Sequence, residues 1–236
     1  MPNETTRFQM SLLQPAQAQK HVTVNEALMQ LDGLVNMVLQ SVSVSIPPDT
    51  VLNGQCWGVP SAPQGAWAGQ AGSIAIGSNG GWVFVPPGGG MRAFVVDRGS
   101  EAIHDGASWV VGALTLGASG SGLVAGLAEG EVVLSSETSV ISSVLIPAGA
   151  MVFGAAARVT EEITGTATGW QLGTSGALVR FGQGLGKPQG SWSRGILGTP
   201  MTYYQPAPLI VSAEGGTFSS GRIRLAVHWL ELRLPV

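Results

Sequence analysis

Apolar positions fall into two rhythms along this chain. From Val24 to Val42 the residues Val24, Leu28, Leu31, Val35, Val38 and Val42 recur at intervals of 4, 3, 4, 3 and 4. That heptad spacing lines up one apolar stripe on a helix. Thr23 and Glu26, three apart, make a capping box that would start it. The stripe covers under three heptads, so two readings stay open. The helix can lie on its own β-domain, or it can join copies of the chain in a short bundle.

After residue 45 the rhythm becomes that of strands: short apolar or alternating runs bounded by turn residues. Ser73–Ile76, Trp82–Val85 and Arg92–Val96 are strand length, and turn signals such as Asn53-Gly54, Asn79-Gly80 and Asp105-Gly106 separate them. This spacing predicts a small β-meander over residues 46–112. Residues 113–130, low in charge and rich in Gly, Ala and Ser, read as a connector. Beyond them eight runs predict strands: Glu131–Leu134, Val140–Ile146, Met151–Thr160, Gly169–Leu172, Ala177–Phe181, Met201–Tyr204, Pro208–Ala213 and Arg222–Leu234. Eight short strands with turns between them predict a jelly-roll-like β-sandwich over 131–236. In the last run Ile223, Leu225, Val227 and Trp229 alternate with Arg222, Arg224 and His228, and the phase then slips by one. The slip predicts a bulge near Trp229-Leu230, or a change of sheet there. The fold class is therefore mainly β, with an N-terminal segment and helix over 1–45, the Trp-rich module, the connector and the sandwich.

Composition narrows the function. Charged residues are 11% of the 236, Gly numbers 35, the net charge is −3, and no Lys/Arg run occurs. A surface that tracks phosphates is not expected, so nucleic acid is excluded as a partner. Cys56 is the single cysteine, which rules out an internal disulfide or a cysteine-based zinc site. The first ten residues hold an acidic residue and no apolar h-region, so no secretory signal is read and a soluble, cytoplasmically made protein is expected. Val140–Ala157 is 18 residues without a charge, but Pro147-Ala148-Gly149 in its middle favours two strands and a turn over a membrane span. Residues 8–20 are Gln-rich, polar and interrupted by Pro15, a loose terminus or, the reading preferred, a strip that becomes ordered by docking against something else.

Candidate chemistry is sparse. Gly182–Lys187 lacks the first Gly of a phosphate loop, and Pro188 stands where Ser or Thr is needed. No G-x-S-x-G elbow occurs. Glu129, Glu131, Glu137, Glu161 and Glu162 could supply a glycosidase pair, with nothing in the sequence to place two across a cleft. Asp97, Glu101, His104 and Asp105 match no metal-ligand spacing and read as a solvated loop, with Asp105-Gly106 a turn. His228 has no Ser/Asp partner pattern and reads as an exposed strand residue. No catalytic residue, metal or cofactor is assigned. Trp57, Trp67, Trp82 and Trp109 read as core rings of a small module, with a sugar platform as the alternative. The stretches 63–72 and 188–198 share P-Q-G-small-Trp, a recognition turn used twice or a coincidence.

Several stretches resemble one family. "LLQPAQAQKHVTVNEALMQLDGL", "GAWAGQAGSIAIGSNGGWVFVPPGGGMRAFVVD" and "DGASW" are similar to an uncharacterised domain family of alphaproteobacterial prophages and gene transfer agents. "ARVTEEITGTATGW", "RFGQGLG" and "GSWSRGILGTPMTYYQPAPLIVSAEGG" resemble the C-terminal region of the same proteins. The likeness covers nearly the whole chain, and Gln-Ala-Gln-Lys-His is its most specific part. It implies a tail fibre or head spike: a virion component of a phage-like particle, assembled in the cytoplasm and released, with no catalytic residue to carry over. Its implied partners are other particle proteins through the N-terminal segment, further copies of the chain (a trimer first) through the heptad stripe, and cell-surface polysaccharide such as capsule. No membrane insertion is implied. Trp170, Trp192, Tyr203 and Tyr204, in Gly-flanked sequence of the sandwich, are the expected carbohydrate contacts. A glycan depolymerase and a purely structural connector are the alternatives.

Overall fold

In the computed structural model, which describes residues 3–13 and 20–235, helix α1 runs Lys20–Leu34 and stops short of the end of the heptad stripe. The helix has already begun at Lys20, so Thr23 does not stand at its N-cap as the capping box required. At the other end Asn36 takes the left-handed conformation, φ 42°, which ends helices. Val38 then enters strand β1 (Val38–Leu39), and Val42 packs into the core of the β-module. The stripe is thereby cut to Val24, Leu28 and Leu31 with Val35 just beyond, and Val24, Leu31 and Val35 stand exposed. It is too short to wind as a coiled coil.

What the helix buries instead is its C-terminal turn. Gly33 lies so close to the sheet that a Cβ there would sit 2.9 Å from Ile76 Cδ1 and 3.2 Å from Cys56 Sγ. Asp32, fully buried, accepts hydrogen bonds from Thr5 Oγ1 (2.7 Å), Arg7 N (2.8 Å) and Phe8 N (2.7 Å). The Arg7 guanidinium in turn donates to the carbonyls of Asp32, Gly33, Val35 and Asn36, where the helix dipole is negative. Higher up, the Asn25 amide pairs with both backbone groups of Leu13. The described part of the polar N-terminal strip thus docks on the chain's own helix; residues 14–19 lie outside the described residues.

Residues 1–45 are therefore no separate segment. The chain divides into two units, Met1–Leu116 and Gly117–Val236. In the first, β1 lies at the centre of a seven-stranded sheet and pairs in parallel with β2 (Cys56–Gly58) and β5 (Arg92–Val95). Outward from it run two antiparallel meanders: β2, β3 (Ile74–Ser78), β4 (Gly81–Val85), and β5, β6 (Ser100–His104), β7 (Trp109–Val111). The β3–β4 and β6–β7 hairpins repeat one another. Ser73, Ala75, Ile76, Trp82 and Val83 recur as Ser100, Ala102, Ile103, Trp109 and Val110, and Ile76↔Val83 with Gly77↔Trp82 becomes Ile103↔Val110 with His104↔Trp109. The expected meander is thus two copies of a three-stranded unit about a central strand. Trp57, Trp67 and Trp82 interlock as core rings, with centroids 5.2–6.1 Å apart. Trp67 ends a short 3₁₀ turn (Gly65–Trp67) and is fully buried.

Cys56 supplies a test of this packing. Burial pushes its thiol up to about 11, Arg7 opposing and Asp32 adding to the effect, and its Sγ faces the carbonyls of Gly33 and Gly54. At pH 8 only roughly one thiol in a thousand would be ionised. A maleimide or disulfide reagent is expected to label the native chain at the rate at which the first unit opens, and to label it at once in urea. Rapid labelling of the native chain would refute the packing around Gly33.

Strand β8 (Ala113–Leu116) closes the first unit. The second unit consists of two antiparallel sheets packed face to face. One has the order β10 (Ser139–Ile146), β15 (Ala207–Glu214), β12 (Gly169–Thr174), β13 (Ala177–Leu185). The strands that this unit gives to the other run β14 (Trp192–Thr202), β11 (Met151–Gly165), β16 (Phe218–Arg233), β9 (Gly122–Leu134). Trp170, Leu172, Phe181 and Leu209 of the first meet Val152, Val159, Ile223 and Val227 of the second in a single core. The uncharged stretch over 140–157 is β10, a turn and β11; among the described residues no helix is long and apolar enough to cross a membrane.

Two expectations are corrected here. The Gly/Ala-rich stretch is no loop: β9 begins at Gly122 and pairs with β16 without interruption, Gly122↔Arg233 through Leu134↔Gly221. Its small residues serve packing, since a Cβ at Gly126 would land inside the Trp229 indole, whose Nε1 donates to Glu231 at 2.5 Å. The phase slip in β16 does mark a bulge, but the extra residue, Phe153, belongs to the neighbouring strand β11. The slip leaves Leu232 and Leu234 exposed.

Candidate functional site

The four expected carbohydrate contacts do not form one site. Trp170 is fully buried on β12, with its Nε1–H donating to Gly186 O at 2.8 Å, so it is a core ring and is withdrawn as a ligand contact. Tyr203 is half-buried, packs on the same core and places its hydroxyl 3.4 Å from Thr174 Oγ1. Tyr204 is 82% exposed and Trp192 60% exposed. Trp192 pairs with Arg158 and Tyr203 N bonds to Ala150 O, eight residues along β11. At about 3.3 Å per residue the two ends lie roughly 25 Å apart. The tyrosines and Trp192 are separate features.

Trp192 sits in a recess. Strands β14, β11, β16 and β9 present their outer faces side by side, and the pairings define two rows across them. One row is Arg194, Ala156, Ala226, Glu129; the next is Trp192, Arg158, Arg224, Glu131. The two alanines lower the floor between taller neighbours, leaving an open trough of about 280 Å³ lined by Trp192, Arg194, Arg158, Arg224 and Glu129. Inward-facing Ser193, bonded to Phe181 O, fixes the strand between the two exposed side chains, so Trp192 and Arg194 must point outward together. The Arg194 guanidinium lies 5.7 Å from the Trp192 ring centroid and holds it from one side.

The charges in the trough are unequally matched. Arg222 pairs with Glu131 (2.7 Å) and Glu161 (3.0 Å), and Arg224 with Glu131 (3.2 Å). The hydrogen bond from Arg222, followed by Arg224, holds the Glu131 carboxyl below the usual carboxylate range. This network therefore persists from neutral pH down to that range and loosens only as acid protonates Glu131. Arg158 and Arg194 have no acidic partner among the described residues. Sequence reading missed both. The one available signal was the alternation Trp192-x-Arg194, which on a strand means a shared face.

The remaining candidates have structural explanations. Lys187 donates to Ala167 O (2.7 Å) and Gly184 N to Glu214, so the phosphate-loop lookalike is a pinned strand end. Asp105 accepts from Ala107 N and Ser108 N, an Asx-type turn as expected. His104 does not share that loop's exposure: it is buried against Trp109, and burial moves its titration below the ordinary value. Among the described residues no group of three His, Cys, Asp or Glu is placed to hold a metal. His228 is exposed on β16. Glu137 bonds Ser135, and Glu162 is exposed on β11. The echo between 63–72 and 188–198 has no structural counterpart, since Trp67 is buried in a 3₁₀ turn and Trp192 exposed on a strand. A second recess, about 480 Å³, lies in the first unit beside Val42, Val59, Pro60, His104 and Trp109, and no charged side chain lines it.

Comparison with known proteins adds little. A family model described as "Protein of unknown function (DUF2793)" matches residues 24–110, most of the first unit and under half of the chain. No curated protein matches. Among solved structures, a chain of the "Cyanophage Pam1 capsid asymmetric unit" is similar at 19% identity and a TM-score of 0.35, over 45% of this chain and 84% of that one. A likeness of that order decides neither fold nor function.

Proposed function

We propose that this chain is a non-catalytic, surface-binding component of a phage-like particle, a spike or fibre that attaches to host polysaccharide through the trough around Trp192. The observation that carries the binding half is the exposed Trp192 ring held by Arg194 over an alanine floor. A flat aromatic face beside polar groups is what the C–H face and hydroxyl rim of a sugar require. The particle half is supported by the sequence resemblance. A shallow trough binds weakly by itself, and many copies on one particle raise avidity by roughly 10²–10⁴. Binding without hydrolysis is supported by the carboxylates: Glu131 is held ionised by two arginines, unsuited to donate a proton near neutrality, and Glu129 stands on the same strand and face rather than across a cleft from it.

The test is adhesion of the labelled chain, displayed on beads, to encapsulated cells and to the same cells stripped of capsule. Adhesion is expected only to the former, and Trp192→Ala should weaken it by roughly tenfold per site with unchanged melting. Equal adhesion to stripped cells would reject the polysaccharide. Release of reducing ends from purified capsule would reject the absence of catalysis.

A further inference from the structure

We infer that the trough selects acidic glycans, its anionic substituent held by Arg158 and Arg194 while the sugar face rests on Trp192 and the alanine floor. This rests on the preceding reading and adds the charge class of the ligand. It starts from a cost in the sheet. Arg158 stands directly across from Arg224, a like-charge cross-strand pair that destabilises a sheet. Arg194, one row on and diagonal to Arg158, brings a third guanidinium within reach of the same point. Elsewhere on this face arginines have acids: Arg222 has two, and Arg224 shares Glu131. Among the described residues Arg158 and Arg194 do not, and Glu129, at the far end of the Arg194 row, has no ion-pair partner either. Two strands separate Arg194 from Glu129 and one separates Arg158 from it, neighbouring strands are about 4.8 Å apart, and neither guanidinium pairs with Glu129.

The trough therefore differs from end to end: two guanidiniums with no acid among the described residues stand beside an aromatic ring on one side, and a carboxylate with no cation stands on the other. Planar forks are suited to bidentate contact with a carboxylate or sulfate, and Glu129 accepts from hydroxyls. An acidic sugar carries both kinds of group at such a spacing. A nucleic acid strand, charged at every residue, would set its next phosphates against Glu129 and Glu131 and find no basic track beyond.

The experiment uses the full chain against a polyuronate, a polysialate and a sulfated galactan, each beside its carboxyl-reduced or desulfated counterpart, with oligo(dT) as the nucleic-acid probe. At least one acidic glycan is expected to bind, its neutralised form at least about tenfold more weakly, with affinity falling as salt rises. The Arg158→Gln/Arg194→Gln chain, melting like the parent, should lose that preference while retaining the weak binding of the neutral form; Arg98→Gln in the first unit should change nothing. Equal binding of acidic and neutral forms, or an unaltered preference in the double variant, overturns the inference and leaves the glycan reading standing. Binding of oligo(dT) in preference to every glycan overturns it in favour of nucleic acid. No binding of any glycan removes the reading and the inference together.

Discussion

Replacing Trp170 by alanine is expected to destabilise the second unit by about 3–5 kcal/mol, lowering its melting temperature by roughly 10–20 °C. The ring is fully buried among Leu172, Phe181, Leu209 and Ile223 in the core shared by the two sheets. Its removal leaves a cavity that close-packed strands cannot refill, and it strands the Gly186 carbonyl that now accepts from the indole. Trp170→Phe keeps most of the volume and loses that hydrogen bond, so a smaller cost of about 1–2 kcal/mol is expected. Trp192→Ala, by contrast, removes a ring that is mostly in water and should melt within about 0.5 kcal/mol of the parent. Calorimetry on the three variants decides the matter. A Trp170→Ala chain as stable as the parent would mean that the ring is not core and is free to contact a ligand.

Those two tryptophans show what local sequence can carry. Both are flanked by Gly or Ser, and "TGWQLG" and "GSWSRG" look alike, although only the first falls in an expected strand run. Both are in fact on strands, at Gly169–Thr174 and Trp192–Thr202. One points between the sheets and the other away from them, a choice made by register with strands far off in sequence. Period-two runs rich in β-branched residues were legible, which is why seven of the eight strand candidates of the second unit fall on observed strands, to within one residue at Leu234, whereas Met201–Tyr204 catches only the end of β14 and its tyrosines lie beyond it. Strand β1, only Val38–Leu39, was not, because two residues have no period and their spacing continued the heptad stripe. The repeat of Ser-x-Ala-Ile and Trp-Val in the two hairpins was there to be read. The trough was not, because Arg158, Arg194, Arg224 and Glu129 meet only through sheet pairing, and a single chain carries no sign of which strands are neighbours.

The same limit hid Asp32, whose replacement by alanine should destabilise the first unit by about 3–5 kcal/mol. Within α1 an Asp near the C-terminus is unfavourable against the helix dipole, so helical propensity argues that it is dispensable. The structure shows why it is not. Its buried carboxylate is the acceptor for three donors of the N-terminal turn, Thr5 Oγ1, Arg7 N and Phe8 N, at 2.7–2.8 Å. That turn in turn aims Arg7 at four carbonyls of the helix end, which offsets the adverse dipole. Alanine would leave the three donors without an acceptor, the Thr5 hydroxyl in a buried site and the Arg7 and Phe8 amides in a part-buried one, each a loss of up to about 1–3 kcal/mol if the turn stayed in place. The turn should therefore detach, taking Arg7 from the helix end. Asp32→Asn keeps one acceptor oxygen and sets an amide N–H₂ against a donor, so it should recover less than half of the loss. Arg7→Ala, at the exposed side of the same clasp, should cost about 1–2 kcal/mol. Urea unfolding followed by the near-ultraviolet signal of the Trp57, Trp67 and Trp82 cluster measures all three. Amide exchange at Arg7 and Phe8, slow in the parent and fast in Asp32→Ala, separates loss of the clasp from general loosening. A change under about 1 kcal/mol for Asp32→Ala, or protection that survives it, would show that the N-terminal turn is held by something other than this carboxylate.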